Sequence, residues 1–211
     1  MIMSKAVYKP KGKAGEYECE YCYLKKGVLK GTMGGDKPAL KKCFVNESNA
    51  IAVFEKELMA NLPELQKHGL FYSFSTDPML PETLFLTFHT AMMANEKGVP
   101  VKILTKCAGK WVDEVIEMMP HEWRSNLAFG FTLTGHDELE PNASSNNERM
   151  EAMKKLYTAG FKTFASLEPI ITTESTAKMM IAVDGYCDLF MVGIESGKTY
   201  NVFDLRSLIL A

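Results

Sequence analysis

The sequence has no long apolar run, although 46% of its 211 residues are hydrophobic. No stretch approaches the roughly 20 apolar residues that cross a bilayer, so we expect no membrane span. The opening residues, MIMSKAVYKP, lack the apolar core that a secretory signal requires. A chain without an export signal is expected in the cytoplasm, where thiols stay reduced.

A strong excess of one charge is also missing, since the net charge is −2. The lysines cluster early, with ten Lys against three Glu and one Asp in residues 1–42. No arginine or aromatic ladder accompanies these lysines, so a solvated face explains them better than a nucleic-acid-binding arm does. The rest of the chain has no basic stripe.

Histidine is scarce, and the four copies are His68, His89, His121 and His136. None has a second histidine at the spacing that zinc sites use. The five cysteines are odd in number, and two of them form Cys19-Glu-Tyr-Cys22, which indicates metal or redox chemistry before a disulfide framework. Zinc would need two further ligands, and a thioredoxin-like role would need a strand before the motif and a helix start at it.

Beyond residue 47 the chain alternates between two kinds of pattern. Apolar residues at helical spacing predict helices over about 48–68, 81–97, 109–119, 145–159 and 172–184. Short runs rich in Phe, Val, Ile and Thr predict buried strands over about 70–75, 101–105, 127–134, 163–167 and 189–194. This series predicts a parallel sheet with right-handed crossovers, either doubly wound or part of a barrel.

Glycines interrupt the first part of the chain, at positions 12, 15, 27, 31, 34 and 35. We therefore predict an irregular N-terminal arm over residues 1–47. Residues 48–211 carry the repeated strand and helix patterns. The two parts together are expected to form one domain.

The predicted strands end in polar residues, and parallel sheets bind ligands at those ends. The ends read Ser75-Thr76-Asp77, Thr105-Lys106, Thr132-Leu133-Thr134, Ser166-Leu167-Glu168 and Gly193 through Lys198. Helix capping explains some of these residues, but Lys106 and Glu168 are poor caps. These two are the better candidates for binding a polar small molecule.

Several segments, taken in order, have a recognisable pattern. They are YKPKGKA at 8–14, EY at 16–17, CEYCY at 19–23, FSTDP at 74–78, VKILTK at 101–106, Glu140-Pro141 with Arg149, and SLEPI at 166–170. This ordered set resembles the radical S-adenosylmethionine (SAM) superfamily, in particular proteins related to spore photoproduct lyase. The resemblance covers nearly the whole chain.

The resemblance implies a fold, cofactors and partners. The fold is α/β, a partial (β/α)6 TIM-like barrel whose first strand is either absent or rebuilt near Ala6–Tyr8. In the family, C-x-x-x-C-x-x-C followed by an aromatic residue holds a [4Fe–4S] cluster, whose open iron binds SAM for reductive cleavage. The expected partners are SAM and, for an active enzyme, an electron donor such as flavodoxin or ferredoxin. Nucleic acid as a substrate rests on the family likeness alone.

Individual residues can be carried over from the resemblance. Cys19 and Cys22 match the second and third cluster ligands, and Tyr23 matches the aromatic residue near adenine. Ser75, Thr76 and Asp77 fall where the family presents groups to the amino end of SAM. The remaining SAM-binding candidates are chosen for their position at or near the strand ends, and they are Lys106, Thr134, Arg149, Ser166 and Glu168. The substrate and the catalytic residues stay unassigned.

The chain departs from the family motif at the first cysteine, because the residue four positions before Cys19 is Gly15. Two thiolates bind a [4Fe–4S] cluster poorly, and Cys43 and Cys107 are the candidates for a third ligand. The resemblance implies a radical SAM protein that cleaves SAM reductively with a [4Fe–4S] cluster and starts radical chemistry on an unknown substrate. The alternative is a degenerate or truncated barrel that has lost the cluster and acts in binding or structure.

Overall fold

Seven strands, seven α-helices and three short 3-10 helices are present in the described part of this computed structural model. The structure describes residues 8–11, 18–22, 37–72, 76–195 and 198–199. In chain order the elements are β1 (Tyr8–Lys11), β2 (Lys37–Leu40), α1 (Glu47–Ala60), α2 (Leu62–His68), β3 (Leu70–Tyr72), α3 (Pro81–Glu96), β4 (Val101–Thr105), α4 (Trp111–Met118), α5 (His121–Arg124), β5 (Leu127–Thr132), α6 (Asn146–Thr158), β6 (Lys162–Leu167), α7 (Thr173–Val183) and β7 (Leu189–Val192).

Strands β3 to β7 form one sheet in the order of the chain, and every neighbouring pair is parallel. A doubly wound sheet reverses its strand order at a switch point, and this sheet does not. Sequential order with helical connections is the topology of a (β/α) barrel. The sheet is not closed, and β3 and β7 are its edges among the described residues. The prediction of an α/β partial barrel is confirmed.

The helices follow the predicted pattern with one difference, because the helix predicted over 48–68 is two helices. Pro63 stands in the first turn of α2, where its missing N–H is tolerated. Asn61 separates the two, and its N–H donates to the Glu57 carbonyl to close α1. The other predicted helices are present with ends shifted by at most two residues. Helix α6 begins with a capping box between Ser145 and Glu148.

Strand β5 alternates between the helix layer and the barrel interior. On the outer side, the Phe129 ring packs against Trp111 of α4, with centroids 5.5 Å apart. On the inner side, Gly130 is required, because a Cβ there would stand 2.2 Å from the Phe164 ring. Phe164 of β6 in turn contacts Phe71 of β3, at 6.4 Å between centroids. These rings close the interior below the carboxyl ends of the strands.

Strands β1 and β2 form a separate antiparallel pair, with Tyr8 opposite Leu40. They correct the prediction of a wholly irregular arm over 1–47. Within the described residues β1 pairs with β2 and not with β3, so Tyr8 does not rebuild a first barrel strand. None of the helices that the structure describes has the length and apolarity needed to span a bilayer.

Candidate functional site

A pocket of about 570 Å³ opens at the carboxyl ends of the sheet strands. Its wall includes the ends of β4, β5 and β6 and the segment after β7. The polar and thiol side chains of the wall are Cys19, Tyr21, Cys22, Asp77, Thr105, Lys106, Thr132, Ser166, Glu168 and Glu195. The structure therefore brings six predicted site residues, Cys19, Cys22, Asp77, Lys106, Ser166 and Glu168, to one cavity.

The cysteine loop, residues 18–22, forms one wall of this pocket. The Cys22 N–H donates to the Cys19 carbonyl at 3.2 Å, so the two thiols stand on one tight turn. The Glu20 N–H donates to the Leu139 carbonyl at 3.0 Å, which ties the loop to the connection after β5. Cys19 is buried and Cys22 is half-buried. Both thiols face the pocket although they lie far from the strand ends in sequence.

The surroundings of the Cys19 thiol shift its pKa. Burial raises the pKa of Cys19, and the nearby Glu140 carboxylate adds to that rise. The Lys106 ammonium and a side-chain hydrogen bond with Tyr21 lower this pKa. Because desolvation is the largest effect, the neutral thiol is favoured in the folded chain.

Asp77 lines the pocket, but its carboxylate is occupied by the protein. Oδ1 accepts hydrogen bonds from the Met79 N–H at 2.8 Å and the Thr105 hydroxyl at 2.7 Å. Oδ2 accepts from the Lys106 N–H at 2.8 Å. Burial raises the pKa of Asp77, and these three donors oppose the rise. Asp77 therefore clamps the segment after β3 to the end of β4.

Arg149 and Thr134 lie behind the pocket wall. Arg149 Nη2 stands 2.5 Å from Glu140 Oε2, and both side chains are fully buried. The same guanidinium donates to the carbonyls of Ser144 and Thr132, each at 2.6 Å. The Thr134 hydroxyl donates to Glu140 Oε2 at 3.3 Å. Neither residue is part of the pocket wall, because a buried carboxylate holds both of them.

Glu140 and Tyr21 are functional candidates that the sequence reasoning missed. The Tyr21 hydroxyl donates to Glu140 Oε1. The Lys106 ammonium lies 4.0 Å from the same oxygen and 5.6 Å from the centre of the Tyr21 ring. Burial raises the pKa of Tyr21, and Glu140 adds to that rise, so the phenol remains a donor. The available signal was the Glu140-Pro141 dipeptide with Arg149 in the following helix.

Glu168 is the carboxylate most open to the pocket. It is exposed, and Oε2 lies 3.4 Å from the Ser166 hydroxyl that donates to it. Gly193 packs against it, since a Cβ there would stand 2.6 Å from Glu168 Oε1. A third carboxylate, Glu195, is buried and pairs with the Lys198 ammonium at 2.6 Å. Glu168 is thus the wall carboxylate with the most room to meet a ligand.

The other candidates divide into two groups. Tyr23 and Ser75 lie outside the described residues. Thr76 lies beside Asp77 but is not part of the pocket wall, and its buried hydroxyl has no hydrogen-bond partner among the described residues. Cys43 is exposed and Cys107 half-buried, and neither lines the pocket.

The donor set at the pocket can be compared with what the implied cluster needs. A [4Fe–4S] cluster that leaves one iron open for SAM takes three thiolates. The described part of the wall supplies two, from Cys19 and Cys22. Across the described ranges, no group of three or more His, Cys, Asp or Glu side chains is arranged to hold a metal ion. The described residues therefore do not fit a complete cluster site.

Comparison with known proteins gave results for structure alone. No protein-family model matches the chain, and no curated protein matches it. Spore photoproduct lyase complexed with dinucleoside spore photoproduct is 18% identical, with a TM-score of 0.61 over 97% of this chain and 58% of that chain. A variant of that lyase with bound S-adenosylmethionine (AdoMet) and the dinucleoside is 18% identical, with a TM-score of 0.58 over 91% of this chain and 56% of that chain.

A second kind of neighbour has the same fold. Streptococcus suis SuiB bound to S-adenosylmethionine is 15% identical, with a TM-score of 0.59 over 94% of this chain and 44% of that chain. These likenesses confirm the predicted resemblance at the level of the fold. The chain spans a little over half the length of the lyase structures that it matches.

Proposed function

We propose that this chain binds S-adenosylmethionine in the pocket at the carboxyl end of its sheet. The observation that carries the proposal is the placement of two opposite charges on one wall. Lys106 follows β4 and Glu168 follows β6, and both line the cavity. The fold neighbours with bound AdoMet or S-adenosylmethionine support the same ligand.

The charge pattern of the pocket complements SAM. SAM carries a sulfonium and an ammonium cation, one carboxylate and a ribose diol. Lys106 offers an ammonium to the ligand carboxylate, and Glu168 with Ser166 offers acceptors to ribose hydroxyls or a cation. Within the described residues the wall holds three carboxylates and one lysine, a balance that favours a cationic ligand group over a phosphate.

The size of the cavity also suits this ligand. Small-molecule sites range from about 300 to 1,000 Å³, and this pocket measures about 570 Å³. Its floor is apolar, with Phe71 and Leu104 below the polar rim. An apolar floor with a few charged groups at the rim is typical of a site that orients a cofactor.

The proposed function is ligand binding alone. A cluster, when bound, would supply the electron that cleaves the sulfonium. The described residues offer two of its three thiolates, so we derive no cleavage step for this chain. This favours the alternative drawn from the sequence, a barrel that binds ligand without the family chemistry. An electron donor, a nucleic-acid substrate and a cytoplasmic location stay predictions.

Equilibrium dialysis with labelled SAM tests the proposal. We expect saturable binding of one SAM per chain, weakened about tenfold by Glu168→Gln, because a hydrogen bond to a charged group is worth about 1.5–3 kcal/mol. The matched control is Glu174→Gln, which removes an exposed glutamate paired with Lys178 on α7. Absence of saturable binding by the parent, or equal loss in both variants, would overturn the proposal.

A further inference from the structure

We propose that Glu140 is a positioning residue that holds the cysteine loop as a wall of the pocket and sets Lys106 beside it. Glu140 acts through Tyr21, whose hydroxyl donates a hydrogen bond to the Glu140 carboxylate. The role of Lys106 in meeting a ligand rests on the proposed function, in which the ligand is SAM. The contacts that place the loop involve the protein alone.

The anchor of this arrangement is the buried pair of Glu140 and Arg149. Arg149 is held in three directions, by Glu140 and by the carbonyls of Ser144 and Thr132. A carboxylate with no exposed side-chain surface needs such a partner, because an uncompensated buried charge is strongly unfavourable. The pair therefore fixes the position of the Glu140 carboxylate between β5 and α6.

The second Glu140 oxygen points toward the cysteine loop. Oε2 is taken by Arg149 and Thr134, which leaves Oε1 for the Tyr21 hydroxyl. Tyr21 lies between the two thiols in sequence, so fixing its ring fixes the turn that carries Cys19 and Cys22. The residues just before Tyr21 and Glu140 are also in contact, since the Glu20 N–H donates to the Leu139 carbonyl. Two neighbouring residues of the loop are therefore bound to two neighbouring residues of the connection between β5 and α6.

Lys106 is positioned by the same two residues. Its ammonium stands over the Tyr21 ring and within 4.0 Å of Glu140 Oε1. A lysine over an aromatic face is attracted by the negative potential of the ring. The Lys106 side chain keeps 20% of its surface exposed, and it lines the pocket. Glu140 and Tyr21 thus hold this ammonium at the wall, where a ligand carboxylate would meet it.

Hydrogen exchange of the loop in the ligand-free protein tests the inference. Tyr21→Phe removes the hydroxyl, keeps the ring and leaves the Glu140–Arg149 pair intact. We expect amide exchange in residues 18–22 and iodoacetamide alkylation of Cys22 to quicken about tenfold, the equivalent of one lost hydrogen bond. Tyr72→Phe is the matched control, since it removes the hydroxyl of a half-buried tyrosine that donates to Thr90 away from the loop.

The outcomes separate a positioning role from a structural one. Faster exchange confined to the loop, with β4 and β5 protected as in the parent, supports the inference. Unchanged loop exchange, or an increase that spreads through β4 and β5 in the same way as in Tyr72→Phe, overturns it. In a Glu140→Gln background Tyr21→Phe should have a smaller effect than in the parent, because a neutral amide makes a weaker hydrogen bond to the Tyr21 hydroxyl than the carboxylate does.

The result is distinguishable from failure of the proposed function. If the parent does not bind SAM but Tyr21→Phe frees the loop, the proposed function fails while the positioning of the loop stands. If the parent binds SAM and Tyr21→Phe leaves both loop exchange and SAM affinity unchanged, the positioning role fails alone.

Discussion

Gly193 lies directly against the side chain of Glu168, so a Cβ at this position would displace the carboxylate. A Cβ on Gly193 would stand 2.6 Å from Glu168 Oε1 and 3.0 Å from its Cγ. The glycine after β7 therefore sets where the carboxylate after β6 can lie. The relationship connects two strand ends that meet only in the folded chain.

Replacing that glycine should weaken SAM binding. Gly193→Ala would push the Glu168 carboxylate away from Ser166, and we expect an affinity loss of about tenfold, near 1.4 kcal/mol. Gly185→Ala is the control, because a Cβ there meets nothing within 4 Å. Titration calorimetry checks both variants. Equal affinities in the parent and Gly193→Ala would show that Glu168 does not contact the ligand.

Arg149→Met should destabilise the fold more than a surface change does. The substitution leaves Glu140 buried without its cation, and breaking such a pair is worth about 3–5 kcal/mol. Urea unfolding of Arg149→Met measures the loss, with Lys155→Met at the exposed Asp113 pair as the control. Adding Glu140→Gln to Arg149→Met should recover part of the loss. No recovery would mean that the charge of Glu140 is not what the arginine compensates.

Alkylation of Cys19 should require a higher pH in the folded protein than in urea. Burial raises the pKa of Cys19, so the reactive thiolate appears only as the pH rises above the ordinary range for a thiol. The rate of iodoacetamide labelling, followed by peptide mass spectrometry from pH 7 to about 10, gives both profiles. If the labelling rate of the folded protein rises at the same pH as in urea, or at a lower pH, the result would contradict the burial that the structure assigns to this thiol.

SAM should bind more tightly than S-adenosylhomocysteine, which lacks the sulfonium charge. The Glu168 carboxylate is exposed at the pocket wall, so the positively charged sulfonium gains electrostatic attraction there. We expect the preference to shrink in Glu168→Gln. Competition dialysis measures the ratio, and its salt dependence provides a check, since attraction across an open pocket is screened. Equal affinities for the two ligands would show that the sulfonium charge does not contribute to binding.

Much of the fold could be predicted from the sequence because each element has a local signal. The apolar runs at 101–105 and 163–167 match β4 and β6 closely, and the topology follows from alternation with helices. The placement of Lys106 and Glu168 at the pocket followed from the same rule. The break between α1 and α2 is not predicted, because Pro63 stands in the first turn of α2 and a continuous helical pattern runs across it.

The interior contacts of the site could not be predicted in the same way. Arg149 was expected to meet a ligand, since the sequence shows its charge and not its burial. Tyr21 and Glu140 are 119 positions apart, and the hydrogen bond between them depends on how the loop docks after the sheet has formed. Pairings at such separation leave no periodic signal in a single chain.

The measurement that tests the central claim most directly combines SAM binding with metal content on one anaerobically purified sample. We predict one SAM bound per chain, together with iron and acid-labile sulfide far below the four atoms of each that a complete cluster contains. Binding that appears only in samples with four irons and four sulfides per chain, and is lost when a chelator removes them, would contradict the account.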